Sequence, residues 1–137
     1  MRAFVDTSSL FKKYVNESGS QVLDELLQQV SEIAVSPVTW VEMNTVVARR
    51  LREKTLTAQQ ATWLQTQIDR DFQSFYRVLW NDALEKTATA LAYHHPLSTL
   101  DAIQLASGVL SKADVFVTSD RRLFEEAKKE VRHAVSL

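Results

Sequence analysis

Short apolar runs alternate with helix-forming segments along the chain, and each run but the last is followed closely by a helix-starting signal. Ala3-Phe4-Val5 is suited to a buried strand. It is followed at once by Asp6-Thr7-Ser8-Ser9, all residue types that cap helices. Ile33-Ala34-Val35, Phe75 to Trp80, Val115 to Thr118 and Val131 to Val135 repeat the pattern as four further strands. Helical spacing fills the intervals. Leu10, Phe11, Tyr14 and Val15 share one face, as do Val22, Leu23, Leu26, Leu27 and Val30 behind a capping Ser20. A third helix is expected from about Pro37 to Arg52, with Ser36 as cap and Pro37 in its first turn. Thr57-x-x-Gln60 fits a capping box opening a helix through Ala61, Leu64, Ile68 and Phe72, and Asp82-x-x-Glu85 resembles another, opening a helix to about Tyr93. His94-His95-Pro96 reads as a loop, Ser98-x-x-Asp101 restarts a helix through Leu105 and Val109, and Leu123 to Lys129 forms the last one. Strands alternating with helices imply a three-layer α/β/α fold with a central parallel sheet of about five strands. In such sheets ligands bind beyond the carboxyl ends of the strands, where the strand order reverses.

The 137 residues suit one domain spanning 1–137, and only two glycines and two prolines imply short connections. No apolar run approaches the ~18 residues of a spanning helix, and residues 1–9 lack the apolar centre of a signal peptide. With no cysteine, disulfides and thiolate zinc sites are excluded, and a cytoplasmic protein is expected. A net charge of −1 gives no global attraction to polyanions, so an anionic substrate would need a local basic patch or bridging cations.

Four acids stand at strand-to-helix junctions or helix starts: Asp6, Glu42, Asp101 and Asp120. Glu42 lies among Val38, Trp40, Val41, Met43, Val46 and Val47. Asp101 lies among Leu97, Leu100, Ala102, Ile103 and Leu105. A carboxylate beside a core is costly unless paired or metal-bound, and clustered carboxylates repel. A divalent cation relieves both, and an oxygen-only donor set suits Mg²⁺ or Mn²⁺ rather than zinc. Such a site fits metal-assisted hydrolysis of a phosphodiester. Taken singly, Asp6 and Asp120 read as helix caps and Asp101 as the capping-box partner of Ser98. His94, His95 and His133 lack metal-ligand spacing and read as surface or satisfied side chains. Trp40, Trp63, Phe72, Phe75, Tyr76 and Trp80 are expected to be mostly core, while the exposed sides of the Leu10–Val15 and Val22–Val30 helices could bind a partner.

The chain resembles the PIN-domain ribonucleases, and among them the VapC-type toxins of type II toxin–antitoxin pairs. Phe4-Val5-Asp6-Thr7-Ser8, Trp40-Val41-Glu42, Leu100-Asp101-Ala102-Ile103-Gln104-Leu105-Ala106 and Val117-Thr118-Ser119-Asp120 are similar to the four motifs of that family, in order and across essentially the whole chain. The resemblance implies a five-stranded parallel sheet and Mg²⁺- or Mn²⁺-dependent RNA cleavage leaving 5′-phosphate and 3′-hydroxyl ends. It also implies frequent homodimers and a VapB-like antitoxin whose tail can cover the active site. Asp6, Glu42, Asp101 and Asp120 take the four acidic places, and Ser119 and Thr7 match hydroxyl positions that help hold the site. Ser98-Thr99 stands where a basic residue often precedes the third motif. Lys12, Lys13, Arg121 and Arg122 are the cations placed to guide an RNA backbone. Other chemistries fit less well: Ser8 stands where a phosphatase-like Asp-x-Asp-Thr needs its second acid, and the paired acids of a receiver domain are missing. A PIN nuclease of RNA processing or of DNA, or a non-catalytic PIN-like module, are the remaining alternatives.

Overall fold

The computed structural model describes all 137 residues, Met1–Leu137. In chain order the elements are β1 (Arg2–Val5), α1 (Thr7–Leu10) running into a 3-10 turn (Phe11–Lys13), α2 (Ser20–Leu27), β2 (Glu32–Val35), α3 (Thr39–Arg52), α4 (Ala58–Phe72), β3 (Tyr76–Arg77), α5 (Asp82–His94), α6 (Thr99–Leu110), β4 (Val115–Thr118), α7 (Arg121–Ala127) and β5 (Ala134–Ser136). The strands form one sheet in the order β3-β2-β1-β4-β5, and every pairing is parallel. After β1 the chain first builds outward through β2 and β3. It then returns to place β4 on the other side of β1. The strand order therefore reverses between β1 and β4.

Side chains alternate across each strand, so both faces of a parallel sheet acquire an apolar layer. Ala3, Val5, Val35, Val115 and Val117 join Leu10, Leu23, Met43, Val47, Leu64 and Ile68 in one core. Phe4, Ala34 and Phe116 join Leu84, Leu91, Leu105, Ala106, Leu123 and Ala127 in the other. Thus α1 to α4 cover one face and α5 to α7 the other, giving the expected three layers. The second core is tightest where α6 crosses the sheet. There the Phe4 and Phe116 rings stack with centroids 5.2 Å apart, and Gly108 lies directly over them.

Local signals behave unevenly. The Thr57–Gln60 capping box forms with both of its reciprocal hydrogen bonds. Gly19, not Ser20, caps α2, because its φ of 92° is open only to glycine at low cost. The Ser20 hydroxyl instead accepts the Glu17 N–H and ties the preceding turn together. Helix α3 begins at Thr39 rather than Pro37, since Ser36-Pro37-Val38 makes a turn in which Ser36 Oγ accepts the Val38 N–H and the Ser36 carbonyl accepts the Thr39 N–H. Asn81, not Asp82, caps α5 by accepting the Leu84 N–H at 3.0 Å. Strand β3 is only two residues long, because it is an edge with β2 on one side and solvent on the other. β5 lies at Ala134–Ser136, slightly beyond the expected segment.

The aromatic set is also less buried than its composition implies. Phe72 is in the core, whereas Trp40, Trp63, Tyr76 and Trp80 are exposed. Trp40 and Trp63 lie outside the buried faces of α3 and α4, which Met43 and Val47 and then Ala61, Leu64 and Ile68 fill, whereas Tyr76 is on the exposed edge strand β3 and Trp80 in the loop after it. His95 is satisfied as expected, with Nδ1 2.7 Å from Glu126 Oε2 and Nε2 2.6 Å from Glu130 Oε1. No helix is long and apolar enough to cross a membrane.

Candidate active site

Residues after β1 and after β4 flank the point where the strand order reverses, which is where a parallel sheet opens a crevice. Asp6 directly follows β1 and Asp120 lies two residues beyond β4. Glu42 projects from the first turn of α3, the helix after β2, and Asp101 from the first turn of α6. All four acids line one small cavity of about 100 Å³, together with Thr7, Ser8, Leu100 and Gln104. Larger hollows exist elsewhere, including one of about 500 Å³ beside Trp63, but none of these gathers carboxylates in this way. An apolar groove of about 540 Å³ shares Thr7, Glu42 and Leu100 with the cavity and continues past Val38, Val41 and Val46 to Arg49.

Each acid is anchored by its own local structure. Asp6 caps α1: Oδ1 accepts the Ser9 N–H and the Ser8 hydroxyl at 2.9 Å, and Oδ2 accepts the Thr118 hydroxyl. That last bond spans the switch point and fixes β1 against β4. Asp120 caps α7, with Oδ1 accepting the N–H groups of Arg122 and Leu123, which leaves Oδ2 without a protein donor. Glu42 Oε1 accepts the Thr7 hydroxyl and the Gln104 amide, each at 2.8 Å, and Oε2 is likewise left without a protein donor. Ser98 caps α6 by accepting the Asp101 N–H at 3.2 Å and so holds the turn that carries Asp101. The capping and cavity-lining readings of Asp6 and Asp120 are therefore compatible, since one oxygen of each completes a helix terminus.

Burial and mutual repulsion both act on these groups. Asp6 is almost fully buried, and desolvation pushes its pKa up, although the donors from Thr118, Ser9 and Ser8 oppose the rise. Asp101 is raised by burial first and then by the negative charges of Asp120 and Glu42, with Ser98 opposing. The charges on Asp120 and Glu42 thus reach Asp101 across the cavity, a like-charge cluster that a cation would relieve.

No set of three or more His, Asp or Glu side chains is disposed to hold a metal ion through direct bonds alone. The donor chemistry nevertheless fits a hard divalent cation. It is oxygen-only, it faces one small cavity, and at least two carboxylates present an uncommitted oxygen. Magnesium keeps several waters and is usually bound by one or two carboxylates, so it does not need a closed protein cage.

The hydroxyls of the site divide their work. Thr7 supports Glu42, but the hydroxyl that holds Asp6 belongs to Thr118, while Ser119 Oγ pairs with Ser9 Oγ at 2.9 Å. Gln104 is not among the residues that the motifs single out, yet it lines the cavity and bonds Glu42. Its signal was the spacing: three residues after Asp101 it lies on the same helix face, as Thr39 does relative to Glu42. Among the basic residues, Lys12 donates to Glu17 and the Ser18 carbonyl, and Lys13 pairs with Asp71 at 2.8 Å. Arg121 and Arg122 are exposed at the start of α7, beside Asp120, and enter no ion pair.

No curated protein matches the sequence. Solved structures share the fold at low identity. VapBC2 from Rickettsia felis, bound to a DNA fragment from its promoter, superposes with a TM-score of 0.72 at 12% identity, covering 100% of this chain and 99% of that one. Mycobacterium tuberculosis VapC20, described as a Sarcin-Ricin loop cleaving toxin, gives 0.67 at 17% identity over 88% and 92%. A toxin–antitoxin complex from Klebsiella pneumoniae gives 0.66 at 19% identity over 89% of each chain. The family model described as "PIN domain" matches residues 3–130, nearly the full length, and the chain belongs to that family.

Proposed function

We infer that this protein is a divalent-cation-dependent endoribonuclease of the VapC type, the toxin of a toxin–antitoxin pair. The observation that carries the reading is the convergence of Asp6, Glu42, Asp101 and Asp120 on one cavity at the switch point of a PIN fold. Asp6, Asp101 and Asp120 would hold Mg²⁺ or Mn²⁺, directly or through water, and Glu42 would ligate the ion or orient the attacking water. When bound, the cation lowers the pKa of its water and neutralises charge on the scissile phosphate. The protein's own contributions are positional. Asp6 and Asp120 are held rigidly as helix caps, Glu42 is held by Thr7 and Gln104, and burial keeps Asp6 from bulk water while Glu42, Asp101 and Asp120 are half-buried. Arg121 and Arg122, free of ion pairs and next to Asp120, are the cations best placed to meet phosphates of the RNA backbone. Lys12 and Lys13 are already engaged internally and are less suited to that role.

Several structures of similar fold are themselves toxin–antitoxin complexes, which supports a VapB-like antitoxin as the partner of this chain. The groove lined by Tyr14, Val15, Leu56, Trp63 and Leu64 offers apolar surface to an antitoxin helix. The exposed Val41 and Leu100 offer similar surface to a second copy of the chain in a homodimer.

The test is cleavage of labelled RNA and of single-stranded DNA by wild type, Asp6→Asn and Asp101→Asn, with Mg²⁺, with Mn²⁺ and with chelator. RNA should be cut only by wild type and only with metal. Undiminished cutting in chelator, or by Asp6→Asn with Mg²⁺ present, rejects the metal-site assignment, and cleavage of DNA alone rejects the substrate. Arg121→Gln with Arg122→Gln should raise KM and flatten its dependence on salt.

A further inference from the structure

Helix α6 buries Ala102, Ile103, Leu105 and Ala106, and Gln104 is buried among them at 4% exposure. An amide in such a place is expensive unless all its polar atoms find partners. The Gln104 Nε2 lies 2.8 Å from Glu42 Oε1, 2.9 Å from Thr7 Oγ1 and 3.3 Å from Thr39 Oγ1. Its Oε1 is buried with no partner. Thr7 donates to the same Glu42 oxygen at 2.8 Å, so these contacts form one assembly around a single carboxylate oxygen. A methionine would fill nearly the same space and leave no orphaned amide oxygen, losing for the fold only the 3.3 Å contact to the buried Thr39 hydroxyl. Fold stability therefore gives little reason for the amide, whereas Glu42 does.

We propose that Gln104 is a positioning residue for the nuclease site: with Thr7 it grips Glu42 Oε1, sets the plane of that carboxylate and reserves Oε2 for the chemistry. Glutamate has three side-chain torsions and scatters unless it is held. Two donors converging on one oxygen, one from α1 and one from α6, remove that freedom. The grip also links two arms of the site, because Gln104 and Asp101 ride on the same helix and Thr7 is adjacent to Asp6. The orphaned Oε1 is the consequence: an amide turned to give its N–H groups to Glu42 and the neighbouring threonines leaves its carbonyl buried without a partner.

This inference rests on the nuclease reading for its kinetics but not for its structural core, and the experiment separates the two. In metal-free protein, Glu42→Gln should shift the Gln104 side-chain NH₂ resonances and speed their exchange with solvent. Unchanged resonances overturn the grip, and this arm alters nothing at Gln104 itself. Gln104→Met should melt within about 3 °C of wild type, or above it. In RNA cleavage, kcat should fall about 10–100-fold, as for the loss of partners that orient active-site ligands, with KM within about twofold. In a Glu42→Gln background, Gln104→Met should slow cleavage further by less than about threefold, since both changes remove one interaction. Unchanged kcat in Gln104→Met, or fully additive losses in the double variant, overturns the role. If wild type cuts no RNA, the nuclease reading fails, while the NMR and melting results still decide whether Gln104 holds Glu42 at the expense of stability.

Discussion

Gly108→Ala probes whether the seat of α6 on the sheet controls the site. A Cβ at this position would lie 2.4 Å from Phe116 Cδ2, 2.5 Å from Cε2 and 3.3 Å from Phe4 Cδ1. Carbon atoms in contact need about 3.5–4.0 Å, so a displacement of about 1 Å is required. The Phe116 ring has nowhere to go, being 2% exposed and stacked on a fully buried Phe4. Helix α6 must therefore lift from the sheet. Overpacking of this severity costs about 3 kcal/mol, and the better helix propensity of alanine returns about 1. The net loss of about 2 kcal/mol should lower Tm by about 6 °C in a domain of this size. The same lift is carried to Asp101 and Gln104, which lie earlier on the same helix. A misplacement of about 1 Å at a catalytic group costs about 100-fold in rate, far more than the small fraction unfolded at the assay temperature. Thermal unfolding by circular dichroism and initial rates of RNA cleavage, both well below either midpoint, measure the two effects. A raised or unchanged Tm would refute the packing argument. A lowered Tm with full activity would refute the coupling of site to seat. Phe116→Leu in the same background should restore part of both, because it removes the atoms that clash.

The charge relations in the site predict a pH signature in metal-free protein. The pKa of Asp101 is raised in the folded state, so the stability linked to this group is full below its unfolded pKa and is lost as pH rises through the raised value. The Tm of Asp101→Asn relative to wild type should therefore increase with pH across the carboxylate range, and a constant difference would contradict it. His95 is raised chiefly by its bond to Glu130 and further by Glu126, against the opposing effect of burial. The stabilisation it supplies is full below the ordinary histidine pKa and fades as pH rises through the higher folded value. The deficit of His95→Phe, read by thermal unfolding in a pH series, should shrink toward alkaline pH. Thr57→Ala breaks the capping box of α4 and should cost about 1 kcal/mol without changing kcat.

Much of this architecture can be read from the chain because the relevant forces are local or periodic. Ala3-Phe4-Val5 and Val115-Phe116-Val117 read as buried strands, Thr57 and Ser98 announce the helices they cap, and their alternation implies a parallel sheet with helices on both faces. The four acids were legible for a related reason: a carboxylate at a strand end or a helix start satisfies backbone N–H groups while remaining beside the crevice. Features that depend on which distant atoms meet could not be read this way. Nothing local distinguishes Thr118 from Ser119 as the partner of Asp6, since that depends on how β4 stands against β1. Nor does local sequence reveal that Lys12 and Lys13 would be spent on Glu17 and Asp71 while Arg121 and Arg122 stay free. Gln104 shows the division most clearly. Its place on the Asp101 face follows from helical period alone, but its hold on Glu42 exists only because β1, α3 and α6 converge at the reversal of strand order, and contacts between residues far apart in the chain are set by packing rather than by propensity.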